Sequence, residues 1–304
     1  MGTPDFAVPS LNALINGPDK VVAVICQPDR KKGRGRKLLP PPVKVAAEEA
    51  GLPVLQPEKI KTAEFFEQLA SFSPDLIVVV AYGKILPESI LDLPPMGAIN
   101  VHGSLLPRYR GAAPIQWAVI NGEQESGVTI MKMDKGMDTG DILYPVAIPI
   151  EDQDTAGSLF EKLAQLGGAA LVAAIEKLKK GELQPIPQDH DLATHAPMLT
   201  KEQGHIDWSK PAAQIHCLIR GLDPWPSAYS FLKNKRFRFF APHIITKTVT
   251  EAPGTVCRAD NQGLLIATGE HYVLIDEIQP EGKKRMSVQA CLNGTPIVPG
   301  SIFT

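Results

Sequence analysis

Leu76-Ile77-Val78-Val79-Val80-Ala81 is apolar at every position. A strand with one wet face alternates apolar and polar residues. An unbroken run rich in valine and isoleucine therefore reads as a strand covered on both faces, the habit of parallel sheets. Further strand candidates lie on either side, at residues 21–26, 98–102, 128–133 and 143–148. Patterns of helical period separate them, over 6–15, 45–50, 63–70 and 112–120. Alternating β and α elements predict an open, mostly parallel, Rossmann-like α/β sheet. Such a domain opens with a buried strand that leads into its first turn. Gly2-Thr3-Pro4 reads as that turn, with only Met1 ahead of it.

A long helix is predicted over 155–179, with Asp154 as N-cap and Gly181 as its stop. Lys177, Lys179 and Lys180 suit its C-terminal dipole. Residues 182–204 are polar and carry Pro185, Pro187 and Pro197, which reads as a linker. After a short helix near 212–220, strand candidates recur at 228–232, 236–240, 254–258, 263–268 and 272–279. Short strands at this spacing predict a small OB-like β-barrel. The expected organisation is an α/β domain over 1–181, a linker over 182–204 and a barrel domain over 205–304.

The composition, 44% hydrophobic and 21% charged in 304 residues, is that of a soluble globular protein. No uninterrupted apolar run reaches the ~18 residues that a bilayer span needs. The start lacks the pattern of a signal peptide, so a cytoplasmic protein is expected. Cys26, Cys217, Cys257 and Cys291 form no CxxC pair, which argues against a disulfide framework or a zinc site. His190 and His195 read as surface residues of the linker, not metal ligands.

The net charge of −2 is unevenly placed. Residues 28–44 carry Arg30, Lys31, Lys32, Arg34, Arg36, Lys37 and Lys44 against Asp29 alone, a local net of +6. A basic loop on an acidic body suits a polyanionic partner, with solvated surface charge as the plain alternative. The loop has no aromatic residue for base stacking, so contact with a phosphate backbone or a groove is its natural use.

The chemistry concentrates in Asn100-Val101-His102-Gly103-Ser104-Leu105-Leu106-Pro107-Arg108-Tyr109-Arg110-Gly111. Asn100 and His102 are two apart on a strand and share a face, at the C-terminal strand end where α/β sheets bind ligands. An amide can donate to a developing oxyanion, and an imidazole can take a proton near neutral pH. Asp138, in Met133-Asp134-Lys135-Gly136-Met137-Asp138-Thr139-Gly140-Asp141, follows the next strand and could orient His102. Each feature alone has a bland reading, a strand-ending hydrogen bond or turn chemistry. Together they outline a site. No serine lies in a nucleophile elbow and no cysteine sits near His102, which disfavours a covalent mechanism; no Walker loop or GxGxxG is present either.

These segments resemble the methionyl-tRNA formyltransferase family of folate-dependent enzymes. The likeness runs along nearly the whole chain, through Gly2-Thr3-Pro4-Asp5-Phe6-Ala7, Val80-Ala81-Tyr82-Gly83, Asn100–Gly111, Asp138-Thr139-Gly140-Asp141, Pro224-Trp225-Pro226 and Gly282-Lys283-Lys284. The resemblance implies transfer of a formyl group from 10-formyltetrahydrofolate, a cosubstrate consumed at each turnover, to the amino group of methionyl initiator tRNA. It implies no tightly bound cofactor, no metal, no membrane and a monomer. Asn100, His102 and Asp138 match the family's catalytic trio, and Ser104, Leu105, Leu106 and Pro107 its folate-binding stretch. Arg30, Lys31, Lys32, Arg34, Arg36 and Lys37 match the segment placed in the acceptor stem. Arg34, between Gly33 and Gly35, is the expected groove residue. The C-terminal domain matches the family's tRNA-contacting barrel. The family also carries a central strand ahead of Gly-Thr-Pro-Asp. Two other readings stand beside this one. A formyltransferase acting on an amino sugar nucleotide or glycinamide ribonucleotide would have no use for the basic loop. An inactive tRNA-binding module would have lost one of the trio.

Overall fold

A computed structural model of the chain describes residues 1–32 and 37–304. By contacts the chain divides into two compact units. The first holds Met1–Pro114, Ser126–Ile148 and Phe160–Ala196. The second holds Ile115–Glu125, Pro149–Leu159 and Pro197–Thr304.

In the first unit the strands are β1 (Val24–Ile25), β2 (Arg30–Lys32), β3 (Lys37–Leu39), β4 (Val54–Leu55), β5 (Ile77–Val79), β6 (Ala98–His102), β7 (Arg110–Gly111), β8 (Glu125–Lys132), β9 (Ile142–Pro149) and β10 (His195–Ala196). Helices α1 (Val8–Ile15), α2 (Pro42–Glu49), α3 (Ala63–Ala70) and α4 (Glu88–Leu91) alternate with them. Helix α5 (Pro114–Ile120) falls almost wholly in the second unit, and most of α6 (Ala156–Lys179) in the first. β1 pairs with β4 and β5 with β6, both in parallel. The second pair continues as the sheet β5-β6-β8-β9, in which β8 runs antiparallel to β6. Ile25, Phe65, Leu69, Ile77, Val79 and Ala98 pack one buried cluster beneath these strands. Within the apolar run 76–81, Ile77, Val79 and Val80 are buried, Leu76 and Val78 are half-buried and Ala81 is exposed.

Met1 and Gly2 bind the edges of β1 and β5. The Gly2 amide donates to the Ile25 carbonyl at 2.9 Å, and the Val80 amide donates to the Met1 carbonyl at 2.8 Å. The Met1 amino group donates to Val78 O at 2.6 Å, and burial pushes its pKa down to about 5. Below this clasp a cavity of about 510 Å³ separates Val21, Val22, Ala23, Val24 and Ile25 from Ile77, Val78 and Val80. Two parallel-strand edges thus face one another across apolar space. The predicted strand over 21–26 shortens accordingly to Val24–Ile25, which pairs with β4.

Helix α6 is long and apolar enough to cross a bilayer by length and composition. Glu161, Lys162 and Gln165 interrupt its apolar surface, and Leu163, Ala170, Leu171 and Ala174 are buried in the protein. Gly167 and Gly168 lie at its closest approaches. A Cβ on Gly167 would stand 3.0 Å from Val101 Cγ1, and one on Gly168 3.0 Å from Pro9 O. The missing side chains let α6 lie directly against β6, the strand that carries Asn100 and His102.

In the second unit, helix α7 (Ala212–Gly221) precedes β11 (Tyr229–Leu232), β12 (Lys235–Ile245), β13 (Val256–Asp260), β14 (Gly263–Ala267), β15 (Tyr272–Pro280), β16 (Met286–Ser287) and helix α8 (Val288–Leu292). The strands form a curled antiparallel sheet of order β11-β12-β15-β14-β13, with β16 on β15. The chain's last residues bridge its two ends. Thr304 and Phe231 exchange both backbone hydrogen bonds at 2.9 Å, while the Val256 amide donates to Ser301 O at 2.8 Å. Inside, Phe303 meets Phe237 and Phe239 edge-on at 5.6 and 5.1 Å. Such rings contribute by burial and by edge-to-face geometry.

Candidate active site

Strand β6 sets the site. Its five residues follow the predicted range, 98–102, and its register places Asn100 beside Val79 on one side and Met131 on the other. Asn100 and His102 therefore project from one face at the strand's C-terminal end. The Asn100 side-chain amide makes no hydrogen bond to any described residue and is only partly covered. His102 is buried, at 6% exposure. Its Nε2 lies 2.9 Å from the Tyr109 carbonyl oxygen, a contact that only an Nε2–H donor can make. Its Nδ1 is left facing Asp138 Oδ1 at 3.7 Å, farther than a hydrogen bond.

Asp138 comes from the loop between β8 and β9. Its φ of +55° lies in the left-handed region, which aspartate tolerates better than most residues. Its other oxygen, Oδ2, accepts from the Gly111 amide at 2.9 Å. Gly111 itself has φ +121°, and a Cβ there would stand 2.8 Å from Ala196 O. Glycine is thus the residue that lets β10 lie against β7 while the amide reaches Asp138. Asp138 thus faces His102, and Asn100 lies two residues before His102 on the same face of β6.

The stretch from Ser104 to Pro107 follows directly. Ser104 is 1% exposed and its hydroxyl donates inward to Arg108 O at 2.7 Å. Thr129 Oγ1 donates to Ser104 O and accepts from the Leu106 amide. Leu105 and Pro107 keep part of their surface, whereas Leu106 is buried. Leu105 and Pro107 are thus the side chains of this stretch that keep accessible surface.

Part of the basic loop is a β-hairpin, in the register Arg30↔Leu39, Lys31↔Leu38 and Lys32↔Lys37. Arg30 and Lys31 are exposed, while Arg34 and Arg36 lie outside the described residues. The base of the hairpin is pinned. Lys44 Nζ reaches Asp29 at 3.1 Å and Gln56 at 2.9 Å, and Gln56 Nε2 donates to Asp29 at 2.7 Å. The Gln56 amide and then the Lys44 ammonium hold the Asp29 carboxyl below the usual carboxylate range.

The segment expected to be a linker takes part in the site's surroundings. Its residues 195–196 form β10 on β7, and Gln188 is buried beside Arg110. Pro185-Ile186-Pro187-Gln188 carries no pattern that would announce this. His190 and His195 are exposed, as expected, though His190 Nδ1 accepts from Arg110 at 3.1 Å. No group of three or more His, Cys, Asp or Glu side chains converges among the described residues.

The formyl transferase family model matches residues 1–175, and that of the formyl transferase C-terminal domain matches 198–296. A methionyl-tRNA formyltransferase of Desulfotalea psychrophila is 62% identical over 297 residues, covering 98% of this chain and 92% of the relative. Another, from Caldanaerobacter subterraneus, is 50% identical over 304 residues, 100% of this chain and 98% of the relative. Among solved structures, an N-formyltransferase of Helicobacter canadensis, in complex with folinic acid and dTDP-3-aminofucose, superposes with a TM-score of 0.67. It is 18% identical, over 94% of this chain and 97% of that one, and so shares the fold. The chain belongs to the formyl transferase family and carries both its transferase domain and its C-terminal domain.

Proposed function

We propose that this protein transfers the formyl group of 10-formyltetrahydrofolate to the α-amino group of methionyl initiator tRNA. The observation that carries the reading is near-full-length identity of 62% to a methionyl-tRNA formyltransferase. The basic hairpin favours the same acceptor over a small amine. A role in translation implies a cytoplasmic protein.

The reaction needs no covalent enzyme intermediate. The neutral amine nitrogen attacks the formyl carbon, a C–N bond forms, and the carbonyl π pair moves onto oxygen. Asn100, whose amide has no partner among the described residues, donates to that oxyanion. His102 carries its proton on Nε2 against Tyr109 O, which leaves the Nδ1 lone pair to take the proton from the attacking amine. Asp138 then faces an imidazolium and stabilises it. Collapse of the tetrahedral adduct breaks the bond to folate N10, and the proton on His102 neutralises the leaving nitrogen. Leu105, Pro107 and the backbone between them are the folate-facing surface. The described hairpin residues Arg30 and Lys31 approach tRNA phosphates, together with the charges of Lys32, Arg34, Arg36 and Lys37.

The test incubates the protein and 10-formyltetrahydrofolate with charged initiator tRNA, glycinamide ribonucleotide or an amino sugar nucleotide, and measures formylated product. Formylmethionyl-tRNA is the expected product. Formylation of a small acceptor alone would overturn the assignment. In the same assay Asn100→Ala should lower turnover on the order of 10²–10³ with tRNA binding unchanged. Turnover within a few-fold of the parent would remove Asn100 from the mechanism.

A further inference from the structure

We propose that Gln188 is a positioning residue for formyl transfer, holding Asp138 opposite His102 with the buried Arg110 guanidinium as its anchor. The proposal rests on the reading of Asn100, His102 and Asp138 as the reacting groups.

Gln188 is 6% exposed and uses its whole hydrogen-bonding capacity. Its Oε1 accepts from Arg110 Nε at 3.0 Å and Nη2 at 2.6 Å. Its Nε2 donates to Asp138 O at 2.9 Å and Gly140 O at 2.7 Å. This pattern fixes the amide's orientation. Turned over, it would set N–H groups against a guanidinium and an oxygen against two carbonyl oxygens.

Arg110 is also 6% exposed, yet no carboxylate pairs with it among the described residues. A buried cation ordinarily has one. Here its partners are neutral acceptors, Gln188 Oε1 and His190 Nδ1. A glutamate at 188 would satisfy Arg110 better, but it has no N–H to give two carbonyls. The choice of an amide points to the far end of the side chain, the Asp138 loop. The guanidinium polarises the amide and strengthens its two N–H donors.

The loop needs such a hold. Asp138 sits at φ +55°, where a non-glycine residue persists only when its surroundings fix it. Two hydrogen bonds do so: Gln188 on its carbonyl and the Gly111 amide on Oδ2. With both made, Oδ1 is the oxygen left to face His102 Nδ1. Residues 188–196 brace both partners at once, since the Arg110 amide donates to Thr194 O at 2.8 Å.

Gln188→Glu separates positioning from support of the fold, because it keeps the acceptor for Arg110 and removes both donors to the loop. The expected result is a fall in kcat of about ten- to a hundred-fold, with KM for both substrates within about threefold and a chain that still folds. In an Asp138→Asn background the same change should cost almost nothing more, because its effect runs through Asp138. An unchanged kcat for Gln188→Glu, a loss confined to KM, or a full additional loss in the Asp138→Asn background would overturn the proposal. If Gln188→Glu does not fold, Gln188→Met enters the same cycle with the same two outcomes. An Asp138→Asn enzyme as fast as the parent would instead overturn the underlying site reading, and this proposal with it.

Discussion

His216 shows how one buried titratable side chain ties stability to pH. It lies in α7 at 8% exposure, and its Nδ1 accepts from Arg220 Nε at 3.2 Å. Burial, and then the Arg220 charge, push its pKa down to about 4. An unfolded histidine titrates near 6.5, so between the two values the unfolded chain binds the extra proton. Stability conferred by the neutral imidazole is whole above about pH 6.5 and is lost as pH falls toward about 4. The slope for one proton is at most about 1.4 kcal/mol per pH unit. His216→Gln keeps an acceptor for Arg220 and removes the titration. Melting temperatures read from about pH 7 down to about pH 4.5 should decline less steeply in that variant. Equal slopes in variant and parent would place the acid sensitivity elsewhere.

Elements reveal what single residues do not, and the slot between β1 and β5 is the clearest case. An apolar extended segment placed ahead of Met1 can pair with both edges, fill the cavity and remove the buried amino group. Each kcal/mol gained should raise the melting temperature by roughly 2–4 °C for a unit of this size. A polar segment of equal length should not raise it. No rise with the apolar segment would mean that Met1 and Gly2 already complete the sheet. The turn at Gly2-Thr3-Pro4 was legible in the sequence, whereas the cavity beside it was not. Strand β6 was legible too, because its apolar and polar positions fix both its limits and the face of Asn100 and His102. The hairpin β2–β3 was not, because six like charges read as loop. Only its ladder, Arg30 opposite Leu39 and Lys31 opposite Leu38, reveals strands. Helix α2 begins earlier than its apolar pattern, with Pro42 at its first turn, where proline loses no hydrogen bond. Gln188 and β10 escaped for a different reason. Their partners are 48 to 85 residues away in sequence, and no local period records a pairing at that distance.

At the scale of the molecule, the proposed function draws on two features of unlike kind. The site is a small set of fixed groups around β6. The basic segment is a concentration of charge, at a net +6 over residues 28–44, on a chain whose net charge is −2. Charge of that kind acts over about a Debye length and responds to salt, whereas the buried His102 environment does not. Each phosphate that the protein no longer neutralises should lower the steepness of log affinity against log salt by about one unit. Removing the loop's charges should therefore harm tRNA use without touching folate. The most direct measurement is the rate of formylmethionyl-tRNA formation against salt for a variant with Arg30, Lys31, Lys32, Arg34, Arg36 and Lys37 all changed to glutamine, with folate binding measured in parallel. The account predicts a strong loss of initiator tRNA use, a shallower salt dependence and unchanged folate affinity. Unchanged tRNA use at every salt concentration would contradict it, and would leave the basic hairpin without a part in choosing the acceptor.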